Sequence, residues 1–256
     1  MSERETSQLT DELKCRISTN QKFGDNDLTS WLIDRLQLQK GEKLLDIGCG
    51  TGEHLIPFAK KIREDYACTG IDISGKSLKE ADNSSQKEGV KIKFVQKDMD
   101  KLGSFIKPHC YDTITAIYAA YYSNNVRVFL HNLNRMLKPD GRIAIAGPYL
   151  GNSKEWFDFL YQFMKLPQRV VKSTTTFMSE EILPFALENF DIVRCFKFVN
   201  NISIPTFEDL QQYWQSNVYY DKRYNPEFER YARIHFNQNK SFCFKKIALL
   251  VIMKNK

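Results

Sequence analysis

The sequence has 256 residues, of which 42% are hydrophobic, 27% charged and 13% aromatic. A chain of this size and composition can bury about 70–75% of its unfolded surface, which excludes a disordered or fibrous protein. Because no apolar run approaches 18 residues and the first residues are polar and acidic, the sequence predicts neither a membrane span nor a secretion signal.

The six cysteines are scattered and show no metal-ligand spacing. They predict free thiols, a cytoplasmic location and no metal site. The net charge is +6, but the five basic and five acidic residues within 200–240 cancel, so no polybasic stripe is formed there. Nucleic acid is therefore not expected as a partner.

Helices are predicted over residues 5–19 and 26–38, before a break at Lys40-Gly41. From there, short apolar runs alternate with helical stretches, a pattern typical of a parallel sheet that is covered on both faces. The predicted strands are 43–47, 67–71, 92–95, 111–118 and 142–146, and the predicted helices between them are 53–63, 75–87 and 125–137. Right-handed crossovers then give a doubly wound α/β fold.

Beyond residue 147 the alternation weakens. Ser153 is expected to cap a helix that runs to about residue 165, and Ser179 is expected to start another that ends near Asn189 and is made irregular by Pro184. Two strands are predicted at 191–199 and 242–253. Between them, Thr206 and Pro226 each open a predicted helix.

The sharpest motif is L-L-D-I-G-C-G-T-G at Leu44–Gly52, a strand that runs directly into three glycines. Glycines allow a tight turn and a close approach of the backbone to a ligand. A dinucleotide loop needs glycine at the position of Glu53, whose carboxylate would repel a pyrophosphate. A nucleoside triphosphate loop fails too, because no Lys-Ser/Thr follows.

Leu44–Gly52 resembles motif I of the class I S-adenosylmethionine-dependent methyltransferases, and the similarity extends over residues 42–148. The stretches Ile71–Ser74, Phe94–Asp100 and Leu137–Ile143 resemble later motifs, the last as a helix end, a Pro-Asp-Gly turn and strand five. Residues 42–148 are most similar to the ubiquinone/menaquinone-biosynthesis type. The resemblance implies a seven-stranded, mostly parallel sheet with an antiparallel last strand and a helical cap or insert.

The resemblance also implies S-adenosyl-L-methionine as the cofactor. Asp72 is assigned to the ribose hydroxyls, Asp98 to the adenine amino group and Met99 to the adenine ring or its backbone contact. The full set of cofactor-binding residues that it implies is Asp46, Gly48, Cys49, Gly50, Gly52, Asp72, Ile73, Asp98, Met99 and Ile117. Each acid also has a plainer interpretation, as a turn or cap residue.

The acceptor is expected to bind at the segments that follow strands four to six, with residues 1–40 as an N-terminal helical segment over the active site. Residues 41–256 then form the methyltransferase domain, with a helical insert at about 200–241. The segments are rich in aromatic residues, which either wall an acceptor pocket or form the core of a small cap or a dimer contact.

Candidate catalytic residues are few. Tyr121 and Tyr122 stand where the family often carries a histidine pair, and either tyrosine could orient or deprotonate an acceptor. His235 shares a helix face with Phe228 and Tyr231, where it either reaches a pocket or only packs.

The predicted reaction is methyl transfer to an oxygen or nitrogen atom of a small organic acceptor. The chain lacks N-P-P-Y, D-P-P-Y and Pro-Cys motifs, which sets aside adenine, glutamine and covalent cytosine methylation. Two alternatives stay open: an RNA or protein methyltransferase that uses Lys222, Arg223, Arg230 and Arg233, and a non-catalytic cofactor-binding partner protein. A homodimer is compatible with the sequence, and no membrane partner is expected.

Overall fold

A computed structural model describes residues 3–104 and 108–255 of the chain. The strands are β1 (Leu44–Ile47), β2 (Cys68–Asp72), β3 (Lys93–Gln96), β4 (Tyr111–Ile117), β5 (Leu137–Pro148), β6 (Ile192–Ile204) and β7 (Phe242–Lys254). The α-helices are α1 (Glu3–Phe23), α2 (Leu28–Leu36), α3 (Leu55–Ile62), α4 (Gly75–Lys87), α5 (Val126–Met136), α6 (Lys154–Leu160), α7 (Gln168–Thr175), α8 (Leu183–Asn189), α9 (Phe207–Gln215) and α10 (Asn225–Gln238). None of the helices in these described ranges is long and apolar enough to cross a membrane.

The seven strands form one sheet in the order β3-β2-β1-β4-β5-β7-β6. Strands β1 to β5 pair in parallel, and β7 runs antiparallel to its neighbours, so the predicted fold class is confirmed. Asp46 of β1 lies opposite Gly70 of β2 and Thr115 of β4. The parallel register therefore brings the loops after β1, β2, β3 and β4 to the same edge of the sheet, where ligands bind in such folds.

The chain divides into two compact units. The first, here called the sheet unit, comprises Thr29–Gly147, Phe177–Lys197 and Leu249–Lys256. The second, the aromatic unit, comprises Met1–Leu28, Pro148–Thr176 and Phe198–Ala248. Helices α9 and α10 lie between β6 and β7 in the chain. The assignment of residues 1–40 to a segment over the active site stays a prediction.

The core of the sheet unit follows from the apolar strands. Leu44, Leu45 and Ile47 of β1 are fully buried, as expected for a parallel strand that is covered on both faces. Helix α3 contributes Phe58 and Ile62, both fully buried. The apolar runs in the sequence thus mark the centre of this unit.

The core of the aromatic unit is built from rings. Trp156 is fully buried, and its ring centroid lies 5.2 Å from that of Tyr213, 5.7 Å from Phe159 and 5.8 Å from Phe242. Trp214 stacks on Phe228 at 5.5 Å. These rings form the hydrophobic core of the aromatic unit. That the unit is a cap over the active site stays a prediction.

Three local expectations differ from the structure. The predicted Pro-Asp-Gly turn is a register irregularity inside β5: Tyr111 pairs with Leu137 and Thr113 pairs with Arg142. Beside the irregularity, Nζ of Lys138 pairs with the Asp112 carboxylate at 2.8 Å.

Ser153 does not cap α6 with its side chain. Its φ is +54°, and its backbone N–H donates to the Lys245 carbonyl in β7 at 2.7 Å. This tertiary bond sets the backbone of Ser153, and the helix ends at Leu160 rather than near residue 165. By contrast, the Thr206 cap is as predicted, because its Oγ1 accepts from the Asp209 N–H at 3.1 Å.

Residues 178–182 form a wide helical turn that leads into α8 around Pro184, which accounts for the irregularity expected there. Helix α7 was not predicted. It is short, follows Pro167 directly and has no buried residue.

Candidate cofactor site

The loop after β1 turns sharply on its three glycines. Gly48, Gly50 and Gly52 have φ values of +71°, +52° and +83°, a region that other residues rarely adopt. The N–H groups of Gly48 and Cys49 both donate to the Ile71 carbonyl of β2, at 2.7 and 3.0 Å. The glycine loop therefore starts from a position that is set by the neighbouring strand.

Gly48 also packs against the chain that follows β4. A Cβ atom at Gly48 would lie 2.4 Å from the Cβ of Ala119, well inside van der Waals contact. The same atom would lie 3.9 Å from Cε of Met99. Gly48 is thus required by its φ angle and by the close approach of Ala119.

Asp72 ties the glycine loop to the end of β2. Its Oδ2 accepts from the Gly50 N–H at 2.9 Å, and its Oδ1 accepts from the Ser74 N–H at 2.8 Å. A carboxylate has about four acceptor positions, so two remain for further donors. Next to it, the Ile73 side chain is 62% exposed, which places an apolar surface beside the charged one.

The segment after β3 carries the second acid. Asp98 accepts from the Asp100 N–H at 3.0 Å and lies 3.8 Å from Nζ of Lys101. Met99 begins a short helical segment, Met99–Ser104. The arrangement leaves acceptor positions on the Asp98 carboxylate at the same sheet edge as Asp72.

Asp100 links this segment to the chain beyond Tyr122. It accepts from the Ser123 hydroxyl at 2.5 Å and from the N–H and the side-chain amide of Asn124 at 3.0 and 2.7 Å. These hydrogen bonds hold the pKa of Asp100 below its usual value, although burial acts in the opposite direction. The Asp100 carboxylate therefore joins the segment after β3 to the segment after β4.

Asp46 lies in β1, just before the glycine loop. Its side chain is buried, and it accepts a hydrogen bond from the Thr115 hydroxyl at 2.6 Å. Burial raises the pKa of Asp46 to about 7, the nearby Asp72 adds to the rise, and the Thr115 bond opposes it. Burial also raises the pKa of Cys49 well above that of a free thiol, so Cys49 is an uncharged apolar residue here.

The residues after β4 follow a strained turn. Ile117 is buried, and Tyr118 has a φ of +54°, unusual for a bulky residue and typical of functional sites. Tyr121 and Tyr122 lie in the short helical segment Ala120–Tyr122, with ring centroids 4.7 Å apart. Tyr122 is 57% exposed, whereas Tyr121 packs edge-on against Phe177 at 5.9 Å.

His235 belongs to the aromatic unit. Its Nε2 lies 3.0 Å from the Ser241 carbonyl oxygen, and its ring lies 4.9 Å from that of Phe242. These contacts match the packing role that the sequence left as an alternative. That His235 acts as a base stays a prediction, and neither of these two contacts favours it.

Several residues that shape this site give no signal in the sequence. Ala119 was not singled out because a small residue carries no chemical signal of its own. Thr115 and Asp100 were missed because their partners, Asp46 and Asn124, are distant in the chain. His54 Nδ1 lies 2.9 Å from the Thr29 hydroxyl, which joins the segment after the glycine loop to α2.

Comparison with known proteins gives a family for the chain. A family model described as "Methyltransferase domain" matches residues 38–200. An uncharacterized methyltransferase, YcgJ of Bacillus subtilis, is 26% identical over 155 residues, 59% of each chain. The 27-O-demethylrifamycin SV methyltransferase of Amycolatopsis mediterranei is 31% identical over 119 residues, 46% of this chain and 43% of that protein.

A ubiquinone/menaquinone biosynthesis C-methyltransferase of Idiomarina loihiensis is 27% identical over 157 residues, 56% of this chain and 61% of the relative. These matches therefore span about half of the length of the relatives. Among solved structures, a methyltransferase-like protein of Bacillus halodurans has a TM-score of 0.62 at 18% identity, with 90% of this chain and all of that chain covered. The fold and the family resemblance are thus confirmed.

We expect Gly48→Ala to destabilise the protein by about 2 kcal/mol more than Gly89→Ala, because only the former adds a clash to an unfavourable φ. Gly89 is a matched control: its φ is +69°, and nothing lies within 4 Å of a Cβ added there. Urea unfolding of both variants measures the difference. Equal losses would show that Ala119 does not constrain the loop.

We expect the unfolding free energy to depend on pH through Asp46. Its folded pKa of about 7 lies above the unfolded value of 3.8, so the folded protein holds the Asp46 proton more tightly than the unfolded chain does. The resulting stabilisation of the folded state is full below pH 3.8 and is lost as the pH rises through 7. About three pKa units correspond to about 4 kcal/mol.

Asp46→Asn removes this titration. The stability of the variant relative to the native protein should therefore rise between pH 4.5 and pH 7.5, as measured by urea unfolding at several pH values. A difference that stays constant over this range would show that Asp46 is already charged at the lower pH.

We expect Asp100→Ala to loosen residues 120–124, because it removes the acceptor of three hydrogen bonds, at a cost of about 1–2 kcal/mol. Hydrogen exchange of that segment should become faster, while exchange in β1 is unchanged. Asp140→Ala, at an exposed position within β5, serves as the control and should leave exchange at 120–124 as it is. Equal protection in Asp100→Ala and the native protein would contradict the anchoring role.

Proposed function

The chain belongs to the family of methyltransferase domains, and from this premise we propose that it transfers a methyl group from S-adenosyl-L-methionine to an oxygen or nitrogen atom of a small organic acceptor. The observation that carries the proposal is the Asp72 carboxylate, which is bonded to the Gly50 N–H and retains acceptor positions. Relatives named as O-methyltransferases favour oxygen, whereas one relative is named a C-methyltransferase.

The chemistry of the described residues fits the cofactor. Asp72 and Asp98 offer carboxylate oxygens at neighbouring strand ends, suited to the ribose hydroxyls and the adenine amino group. Ile73 and Met99 are the apolar residues adjacent to these acids and suit a flat base. The glycine loop presents backbone rather than side chains, which leaves room for the amino-acid part of the cofactor.

The cofactor supplies a methyl group on a sulfonium, which an acceptor displaces in line. The protein then has little covalent chemistry to perform, and correct positioning with exclusion of water contributes roughly 7–11 kcal/mol. Tyr121 and Tyr122 are the residues of the sheet unit that we propose to orient the acceptor. Their position directly after β4, on a segment held by Asp100, supports this role.

Three of the four basic residues named for a macromolecular acceptor have partners within the aromatic unit. Arg223 pairs with Asp221 at 2.6 Å. The guanidinium groups of Arg230 and Arg233 lie over the rings of Tyr231 and Phe207, at 4.6 and 4.4 Å. These contacts support a small acceptor over RNA or protein.

We expect Asp72→Asn to weaken binding of S-adenosylhomocysteine by about 10- to 100-fold, because hydrogen bonds to a charged carboxylate are worth about 1.5–3 kcal/mol. Calorimetry measures the dissociation constants, with NAD as a ligand that should not bind. Asp65→Asn is the matched control, since Asp65 is exposed and paired only with Lys91 on the surface in the contacts described.

Native affinity in Asp72→Asn, or binding of NAD as tight as that of S-adenosylhomocysteine, would contradict the proposed cofactor site. Circular dichroism of each variant verifies the fold, because the new amide faces the Gly50 and Ser74 N–H donors.

A further inference from the structure

Helix α2 contacts the segment that follows the glycine loop. The hydroxyl of Thr29, in the first turn of α2, lies 2.9 Å from Nδ1 of His54. Both residues belong to the sheet unit, and Thr29 is buried. Because a hydroxyl can donate or accept, this hydrogen bond forms with either neutral tautomer of the imidazole. It joins α2 to the residue that directly precedes α3.

The imidazole of His54 is held from a second side. Its ring lies nearly parallel to that of Phe58 in α3, with the ring centroids 6.4 Å apart and the planes at 24°. Phe58 is fully buried. The Thr29 hydrogen bond and the Phe58 contact therefore restrict the ring in two directions, and the ring in turn restricts the backbone of His54.

Helix α2 is anchored by its own buried face. Leu32 and Leu36, which follow Thr29 at helical spacing, are only 0% and 2% exposed. Thr29 lies on the same face as these leucines, so its hydroxyl has little freedom to move away from His54.

The end of the glycine loop is held differently from the rest of it. The end of β2 accepts hydrogen bonds from the start and the middle of the loop. Gly52, the last glycine, comes two residues before His54, and its N–H donates to the Cys49 carbonyl at 2.9 Å. A Cβ atom at Gly52 would lie 3.0 Å from Cδ1 of Ile56 in α3. Contacts with α2 and α3 thus act on the end of the loop.

We propose that Thr29 is a positioning residue for the cofactor: through His54 it fixes the end of the glycine loop and so raises the affinity for S-adenosyl-L-methionine. The proposal rests on the proposed function, because it concerns the same site. A glycine-rich loop can adopt many conformations, and those that do not fit the ligand lower the apparent affinity in proportion to their population. A link that selects one conformation therefore strengthens binding without a ligand contact of its own.

Calorimetry of S-adenosylhomocysteine binding to Thr29→Val and Thr29→Ser tests this role. Valine keeps the shape of the side chain but removes the hydroxyl, so the affinity should fall by about 5-fold or more. Serine keeps the hydroxyl, so the affinity should stay within about twofold of the native value. Native affinity in Thr29→Val, or an equal loss in both variants, would overturn the proposal.

A double-mutant cycle shows whether Thr29 acts through His54. His54→Phe removes the ring nitrogens and keeps a ring beside Phe58. The double variant Thr29→Val/His54→Phe should bind S-adenosylhomocysteine no more weakly than the weaker single variant, because both changes remove the same hydrogen bond. Losses that multiply in the double variant would show that Thr29 acts by another route.

Leu36→Val is the matched control for stability. Leu36 lies on the buried face of the same helix, and loss of one methylene there should lower the melting temperature. The affinity for S-adenosylhomocysteine should nevertheless stay within about twofold of the native value, because the Thr29 hydroxyl is retained. A loss like that of Thr29→Val would mean that the stability of α2, rather than the hydroxyl, sets binding.

Hydrogen exchange without ligand separates this role from the proposed function. In Thr29→Val, the N–H groups of Gly52 and Ile56 should exchange at least about 3-fold faster, while exchange in β4 is unchanged. If exchange accelerates but the native protein does not bind S-adenosylhomocysteine, the proposed function fails and Thr29 still anchors the loop. If the native protein binds it and Thr29→Val shows native exchange and affinity, the positioning role fails and the proposed function stands.

Discussion

The carboxylate of Asp72 is the constraint on which the candidate site depends. By accepting from Gly50 and Ser74 it joins the glycine loop, the end of β2 and the start of α4 in one arrangement. The loop has no side chains at its glycines with which to hold itself, so a charged acceptor is an effective way to orient its backbone N–H groups. The same atoms retain lone pairs, which explains how one residue can serve both structure and binding.

The carboxyl group of Asp46 in β1 has different surroundings from that of Asp72. Asp72 accepts backbone N–H bonds at the strand end, whereas Asp46 is buried one strand away with a single hydroxyl partner. Burial raises the pKa of Asp46 to about 7, and the charge of Asp72 contributes to the rise. Because the raised pKa favours the neutral form of Asp46, it lessens the repulsion between the two carboxyl groups.

The aromatic unit follows a different principle. Aromatic rings packed around Trp156 form its buried core, and the Trp156 indole N–H donates to the Tyr219 hydroxyl. The same packing leaves the Tyr213 hydroxyl without a hydrogen-bond partner among the described residues.

The glycine motif, the acids after β2 and β3 and the alternation of strands and helices determined the fold class and the residues proposed to hold the cofactor. These signals are local, since they arise from backbone conformation at glycine and from apolar periodicity along one strand. Only the tertiary structure decided that Ala119 faces Gly48, that Asp100 anchors the segment beyond Tyr122 and that the Tyr213 hydroxyl has no partner among the described residues. Each of these depends on contacts between residues distant in the chain, whose geometry is set by the packing of whole elements and leaves no trace in the spacing of residue types.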